Sequence, residues 1–218
     1  ESKFIKSNCF EGMNILDIGA NIGYYTALFS QLAGVNGTVI AIEPDEESYK
    51  YLSKSIDSFN YKNVFSFRLA ASDTKQKLPL FISKDNRGDN RLYSTNQKRK
   101  SIIVECLTLD ELLKENKIKN LDLIKIDVQG YEPKVLKGMR NIVKSSKKLI
   151  ILSEFWPKGI LEAGENPKEF LATLRKMQFQ LFELKKNGSL ILLKPCDDIQ
   201  FIKKYRGRKY TNIVGKKI

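Results

Sequence analysis

The chain alternates short apolar runs with longer stretches in which apolar residues recur every three or four positions. Residues 14–18, with Leu16 and Ile18, read as a short strand. Ile22, Tyr25, Leu28, Phe29 and Leu32 follow at helical spacing, and Gly34 with Asn36-Gly37 ends that helix. Residues 38–43 are apolar and β-branched and predict a second strand. Pro44-Asp45 opens a helix to about Ser58, and residues 64–70 read as a third strand. The stretch 72–100 is polar and irregular, with strands predicted near 78–82 and 101–106 and a charged loop over 84–91. Thr108, with Glu111 three residues on, caps a helix over 109–116. Residues 121–128 form a fourth strand, Gly130 a turn, and Glu132-Pro133 the start of a helix. Residues 148–154 form a fifth strand, and Asn166-Pro167 opens a helix to about Met177. Residues 179–184 and 190–193 pair as a hairpin around Asn187-Gly188. Strands alternating with helices predict an α/β fold on a mostly parallel sheet, with the hairpin adding an antiparallel strand at one edge.

At 218 residues this is the size of one domain. Residues 1–195 are expected to form that domain, and 196–218 a basic C-terminal tail. Residues 185–218 hold ten Lys/Arg against two Asp, which supplies +8 of the formal +13. Such a tail suits RNA phosphates, acidic lipid or an anionic substrate, and equally suits a plain solubilising surface. No apolar run has the length of a membrane span, and no signal-peptide pattern is present. The cysteines Cys9, Cys106 and Cys196 are far apart and form no CxxC pair, so a reduced, cytoplasmic setting without a zinc site is expected. The absence of histidine excludes Ser-His-Asp and Cys-His catalysis within this chain. Proton transfer therefore falls to Asp, Glu, Lys or Tyr.

The richest chemistry lies in the turn after the first strand. A dinucleotide fingerprint needs Gly-x-Gly-x-x-Gly there, and either placement on Gly19 matches one glycine of three. Asp-x-Gly-x-x-x-Gly instead matches at Asp17, Gly19 and Gly23. That pattern suits S-adenosylmethionine, which carries a sulfonium and an ammonium but no pyrophosphate. Asp17 puts a carboxylate near the positive amino-acid end, while Gly19, Ala20, Asn21 and Gly23 form the turn. Glu43, followed by Pro44, ends the second strand, where a carboxylate can accept both ribose hydroxyls. Ala71 and Ser72 follow the third strand, where short side chains leave space for adenine.

These residues resemble the FkbM family of S-adenosylmethionine-dependent methyltransferases. The matching pieces are residues 16–26, Ile42-Glu43-Pro44, residues 107–112, and residues 124–132 with Val135-Leu136-Lys137-Gly138 after them. The resemblance covers about residues 12–155. It implies a Rossmann-like class I methyltransferase sheet of seven strands, order 3-2-1-4-5-7-6, with helices on both faces. It also implies O-methylation, commonly of sugars or natural-product hydroxyls. The family usually has Glu where this chain has Gln129.

A sulfonium donor is already activated, so the protein has to position a hydroxyl and help remove its proton. Asp127, at the carboxyl end of the fourth strand, is the expected base, and Lys125 shares its strand face. Both also make sense as a structural ion pair. Glu154 and Trp156 follow the fifth strand, and Asp89 and Arg91 lie in the long loop; these are the expected acceptor contacts. Glu132 suits either a helix-start role or a site role. Three readings follow: a glycan or small-molecule O-methyltransferase, an RNA methyltransferase using the basic tail, and a non-catalytic binding module on the same fold.

Overall fold

The computed structural model of the chain describes residues 1–95 and 98–217. A short helix, α1 (Ser2–Asn8), leads into β1 (Asn14–Ile18), α2 (Tyr24–Ala33), β2 (Thr38–Ile42), α3 (Glu46–Ser58) and β3 (Val64–Phe67). An insertion follows, with β4 (Ala70–Ala71), β5 (Gln76–Ile82) and β6 (Lys100–Leu107). Next come α4 (Leu109–Glu115), β7 (Leu123–Ile126), α5 (Glu132–Lys137), α6 (Arg140–Ser145), β8 (Ile150–Phe155), α7 (Pro157–Glu162) and α8 (Pro167–Lys176). The chain closes with β9 (Phe179–Leu184), β10 (Leu190–Leu192), α9 (Asp198–Lys204) and β11 (Thr211–Lys217).

Eight strands form the main sheet in the order β10-β9-β11-β8-β7-β1-β2-β3. Without β10, this is the 3-2-1-4-5-7-6 arrangement, so the sheet has eight strands rather than seven. Its central strands β1, β2, β7 and β8 are buried on both faces, as crossovers with helices on either side require. Ile15, Leu123, Leu152 and Val214 pack with Phe4 and Ile5 of α1 and Phe29 of α2 on one side. Leu16, Ile124, Ile151 and Ile213 pack with Leu112 of α4, Leu136 of α5 and Leu171 of α8 on the other. Each such side chain contributes about 1.5–3 kcal/mol when fully buried. Among the described residues no helix is long and apolar enough to cross a membrane.

Three expectations change. The third strand stops at Phe67, because Ala70 and Ala71 pair with Cys106 and Leu107 in the second sheet, order β4-β6-β5. The antiparallel strand is not only at the edge: β11 runs antiparallel to both β8 and β9 inside the sheet, and β10 forms the antiparallel edge. Residues 196–218 are therefore not a tail outside the domain. Ile213 and Val214 are fully buried, and the Lys217 ammonium donates to the Ser146 carbonyl at 2.9 Å and to that of Val143, near the end of α6. The hydrophobic pairs of β11 fix it in place, and its lysines lie at the strand's far end.

Candidate cofactor and acceptor site

The carboxyl ends of β1, β2 and β7 converge on one point. The Gly19 and Ala20 amides both donate to the Ile42 carbonyl at 3.0 Å, and the Asp127 amide donates to the Ile18 carbonyl at 3.0 Å. Gly19 has φ +77°, and a Cβ there would sit 1.9 Å from the Asp127 carbonyl oxygen. Only glycine lets the first turn lie against the end of β7. Gly23 (φ +91°) precedes α2 and abuts Leu52 of α3.

Above this convergence lies a cavity of ≈ 310 Å³. Gly19, Ala20 and Asn21 form one wall, and Glu43 with Pro44 another. Ala71, Lys125 and Asp127 also line it. Glu43 is held by two backbone amides: Asn21 donates to Oε2 and Asp45 to Oε1, each at 2.8 Å. Burial pushes its carboxyl up to about 7, although those two amides offset part of the effect. Each oxygen keeps acceptor capacity for a further hydroxyl.

Asp17, Gly23 and Ser72 do not line this cavity. Asp17 is fully buried behind the turn, where its Oδ2 accepts from the Thr26 hydroxyl at 2.7 Å. Burial raises its carboxyl above the ordinary value, against the pull of Lys125 and Thr26. Its Oδ1 has no partner, and neither does the buried Nδ2 of Asn90 in the cavity wall. Ser72 is buried between Asp73 and Tyr131. The unmatched Asn90 Nδ2 in the wall, a carboxylate with spare acceptor capacity and a glycine floor fit a bound S-adenosylmethionine.

Asp127 stands at the cavity's far side. Its Oδ2 lies 3.3 Å from the buried Lys125 ammonium, and its Oδ1 accepts from Gln129 Nε2 at 3.0 Å. Burial alone would lower the Lys125 pKa, but Asp127 and Asp17 outweigh it and hold the ammonium above the ordinary lysine range. Gln129 Nε2 also donates to Glu154 Oε2 at 3.1 Å. One amide thus serves two carboxylates, where a glutamate would add a third negative charge and no donor. Burial, then the charges of Asp127 and Glu132, push Glu154 up to about 9. Glu132 is fully buried, and its Oε1 accepts from the Val128 and Gly130 amides at 3.1 and 3.2 Å, so it shapes the turn that carries Gln129.

Gln129 and Gly88 also line a second cavity of ≈ 920 Å³. Asp89, Arg91, Glu154 and Trp156, the four expected acceptor contacts, all line it. Arg91 is not a free cation: it pairs with Asp89 at 2.7 Å and Glu162 at 3.3 Å and lies 4.7 Å over the Trp156 ring. Three further residues here carry no signal in the sequence. Tyr93 donates to the Gln129 carbonyl at 2.6 Å, and Arg208 and Tyr210 line the second cavity. They arrive through long-range pairing that no local motif marks.

A mostly parallel sheet of this order, with a glycine turn after β1 and a buried acid at the carboxyl end of β2, is that of a class I methyltransferase. The chain belongs to the methyltransferase FkbM domain family, whose profile matches residues 17–184. It is an S-adenosylmethionine-dependent methyltransferase. Among curated proteins it is similar to the hexuronic acid methyltransferase AglP of Haloferax volcanii, at 24% identity over 81% of this chain and 68% of that one. Among solved structures, the FkbM methyltransferase from Methylobacillus flagellatus KT superposes with a TM-score of 0.57 at 15% identity, over 94% of this chain and 43% of that one. The Aeropyrum pernix fibrillarin structure, with natively bound S-adenosyl-L-methionine, gives 0.51 at 15% identity, over 94% of this chain and 67% of that one.

Proposed function

We propose that this chain methylates a hydroxyl of a sugar or glycan, with Asp127 as the base. The observation that carries this reading is the junction at Gln129, where a cofactor-sized cavity and a larger polar one share a wall beside an ion-paired carboxylate. Bound S-adenosylmethionine supplies an electrophilic methyl group. Glu43 accepts the ribose hydroxyls, and the 19–21 turn gives the donor a close-fitting floor. Asp127 would take the proton that the acceptor hydroxyl gives up on methylation. Lys125 and Gln129 hold one carboxylate oxygen each, which fixes the base in one orientation. The sugar specificity of the Haloferax relative supports the acceptor class.

Labelled-methyl transfer to a panel of glycosides, with wild type and Asp127→Asn, tests the proposal. The variant is expected to lose about 10²–10⁴ in kcat while binding S-adenosylhomocysteine as wild type does. Full activity in the variant removes Asp127 as base. Transfer to RNA with none to any glycoside removes the acceptor class.

A further inference from the structure

We infer that the acceptor is an anionic saccharide, and that its oxyanion is received by the loop Arg206-Gly207-Arg208-Lys209 at the rim of the second cavity. This rests on the saccharide reading above and adds the charge of the substrate and the residues that read it.

The topology puts the loop there. β11 runs antiparallel to β8, with Thr211 opposite Phe155. The start of β11 therefore lies at the carboxyl end of β8, where the site is, and the connection from α9 is carried with it. The Trp156 indole then donates to the Gly207 carbonyl at 3.0 Å, which ties the loop to the cavity rim. Arg208 and Tyr210 line the cavity directly.

The charges near the cavity divide into neutralised and available ones. Arg91 is held by Asp89 and Glu162, and Asp89 also accepts from Arg99 at 2.6 Å. In the basic C-terminal stretch, Lys185 and Lys204 both pair with Glu183 at 2.7 Å, and Lys217 donates to main-chain carbonyls near the end of α6. Arg206, Arg208 and Lys209 are exposed, and among the described residues their side chains make no hydrogen bond or ion pair; the Lys209 amide alone donates to the Arg206 carbonyl, at 3.4 Å. The cations left unmatched by the fold thus include three in one short loop, beside the place where the acceptor sits. A surface built for RNA would need its free charge spread along a strand's path, with aromatic stacking between. Here three free cations fall within four residues at one rim. A single oxyanion matches this arrangement, and Arg208 can meet it with paired donors.

A carboxylate and a phosphate share this chemistry, so both are tested. Protein saturated with S-adenosylhomocysteine is titrated, by ligand-observed NMR at low salt, with p-nitrophenyl glucuronide, glucose 1-phosphate and neutral p-nitrophenyl glucoside. At least one anionic sugar is expected to bind about tenfold more tightly than the neutral one. That preference should fall several-fold in Arg208→Ala and vanish in the triple Arg206→Ala/Arg208→Ala/Lys209→Ala variant, and it should shrink at high salt. Lys147→Ala, exposed at the opposite end of β8, should retain it. Bound S-adenosylhomocysteine reports that each variant is folded. Equal binding of charged and neutral sugars overturns this inference and leaves the saccharide reading standing, as does a preference that survives the triple variant. Binding of no sugar overturns both, whether or not a structured RNA binds instead.

Discussion

The cavities proposed for cofactor and acceptor share a wall at Gln129 and Gly88 but are built by opposite means. The first is made of main chain: strand ends, two tight turns and amides that donate to Glu43. The second is made of side chains from β8, the 83–99 connection and the loop before β11, locked by ion pairs around Asp89 and by the Trp156 stack. A backbone site tolerates almost no change in shape. A side-chain site can be re-specified one residue at a time, which suits the part of a methyltransferase that differs between substrates.

The sharpest way to break the first cavity is Gly19→Ala. A methyl group 1.9 Å from the Asp127 carbonyl forces β1 and β7 apart, at a position whose φ of +77° already disfavours alanine. The expected outcome is loss of S-adenosylhomocysteine binding, read by calorimetry, with a Tm lower by several degrees or no folded protein. An alanine variant that binds as wild type would show that the turn is not held against β7.

The same contrast explains what the sequence disclosed. Asp17, Gly19 and Glu43 were legible because a strand–turn–helix is local, and its glycines report backbone geometry directly. Thr108 with Glu111 was legible for the same reason: the Glu111 amide donates to the Thr108 hydroxyl at 3.2 Å. Even so, Asp17 proved to lie behind the turn rather than in the cavity wall, since a strand's alternation does not say how deep its end is set. The acceptor contacts expected at 89, 91, 154 and 156 rest on positions at strand ends and in a long loop, and the structure gathers these residues around one cavity. Their chemistry was not legible. That Arg91 is neutralised depends on Asp89 and on Glu162, seventy-one residues away in sequence. The basic stretch misled most, because β11 looks like a charged tail until it is seen to pair on both sides.

A smaller effect separates the buried acids from the rest of the molecule. Glu43 and Glu132 are raised to about 7 and Glu154 to about 9, each chiefly by burial. In the unfolded chain these carboxyls ionise near the ordinary value, so above it the folded state holds more protons than the unfolded one. Their contribution is fully present below the ordinary carboxylate range. It is lost as pH rises toward 7 for the first two and toward 9 for Glu154. Glu154→Gln keeps a carbonyl acceptor for Gln129 and removes the ionisation. Its Tm should fall less than that of wild type between pH 6 and 9, by about 2–4 °C for each kcal/mol relieved. Parallel Tm curves for the two proteins would show that burial does not shift the Glu154 ionisation.

The least disruptive change asks whether the two cavities act together. Arg87 reaches from the 83–91 segment to Asp45 at 2.7 Å and to Glu47, at the start of α3. Asp45 already caps that helix through the Ser48 amide, so the arginine latches the loop to a fixed point. The next residue, Gly88, belongs to both cavity walls. Arg87 is partly exposed, and pairs of that kind are worth about 0–1 kcal/mol, so Arg87→Ala should barely move Tm. Releasing the latch should nevertheless raise the Kd for S-adenosylhomocysteine and the acceptor KM together, each by about two- to fivefold, the span of that pair energy. A rise in one constant alone would mean that the loop serves one cavity and that the other is complete without it. A rise in both makes the 83–91 segment the element through which an occupied cofactor cavity shapes the place of the acceptor, because Gly88 cannot shift in one wall without shifting in the other.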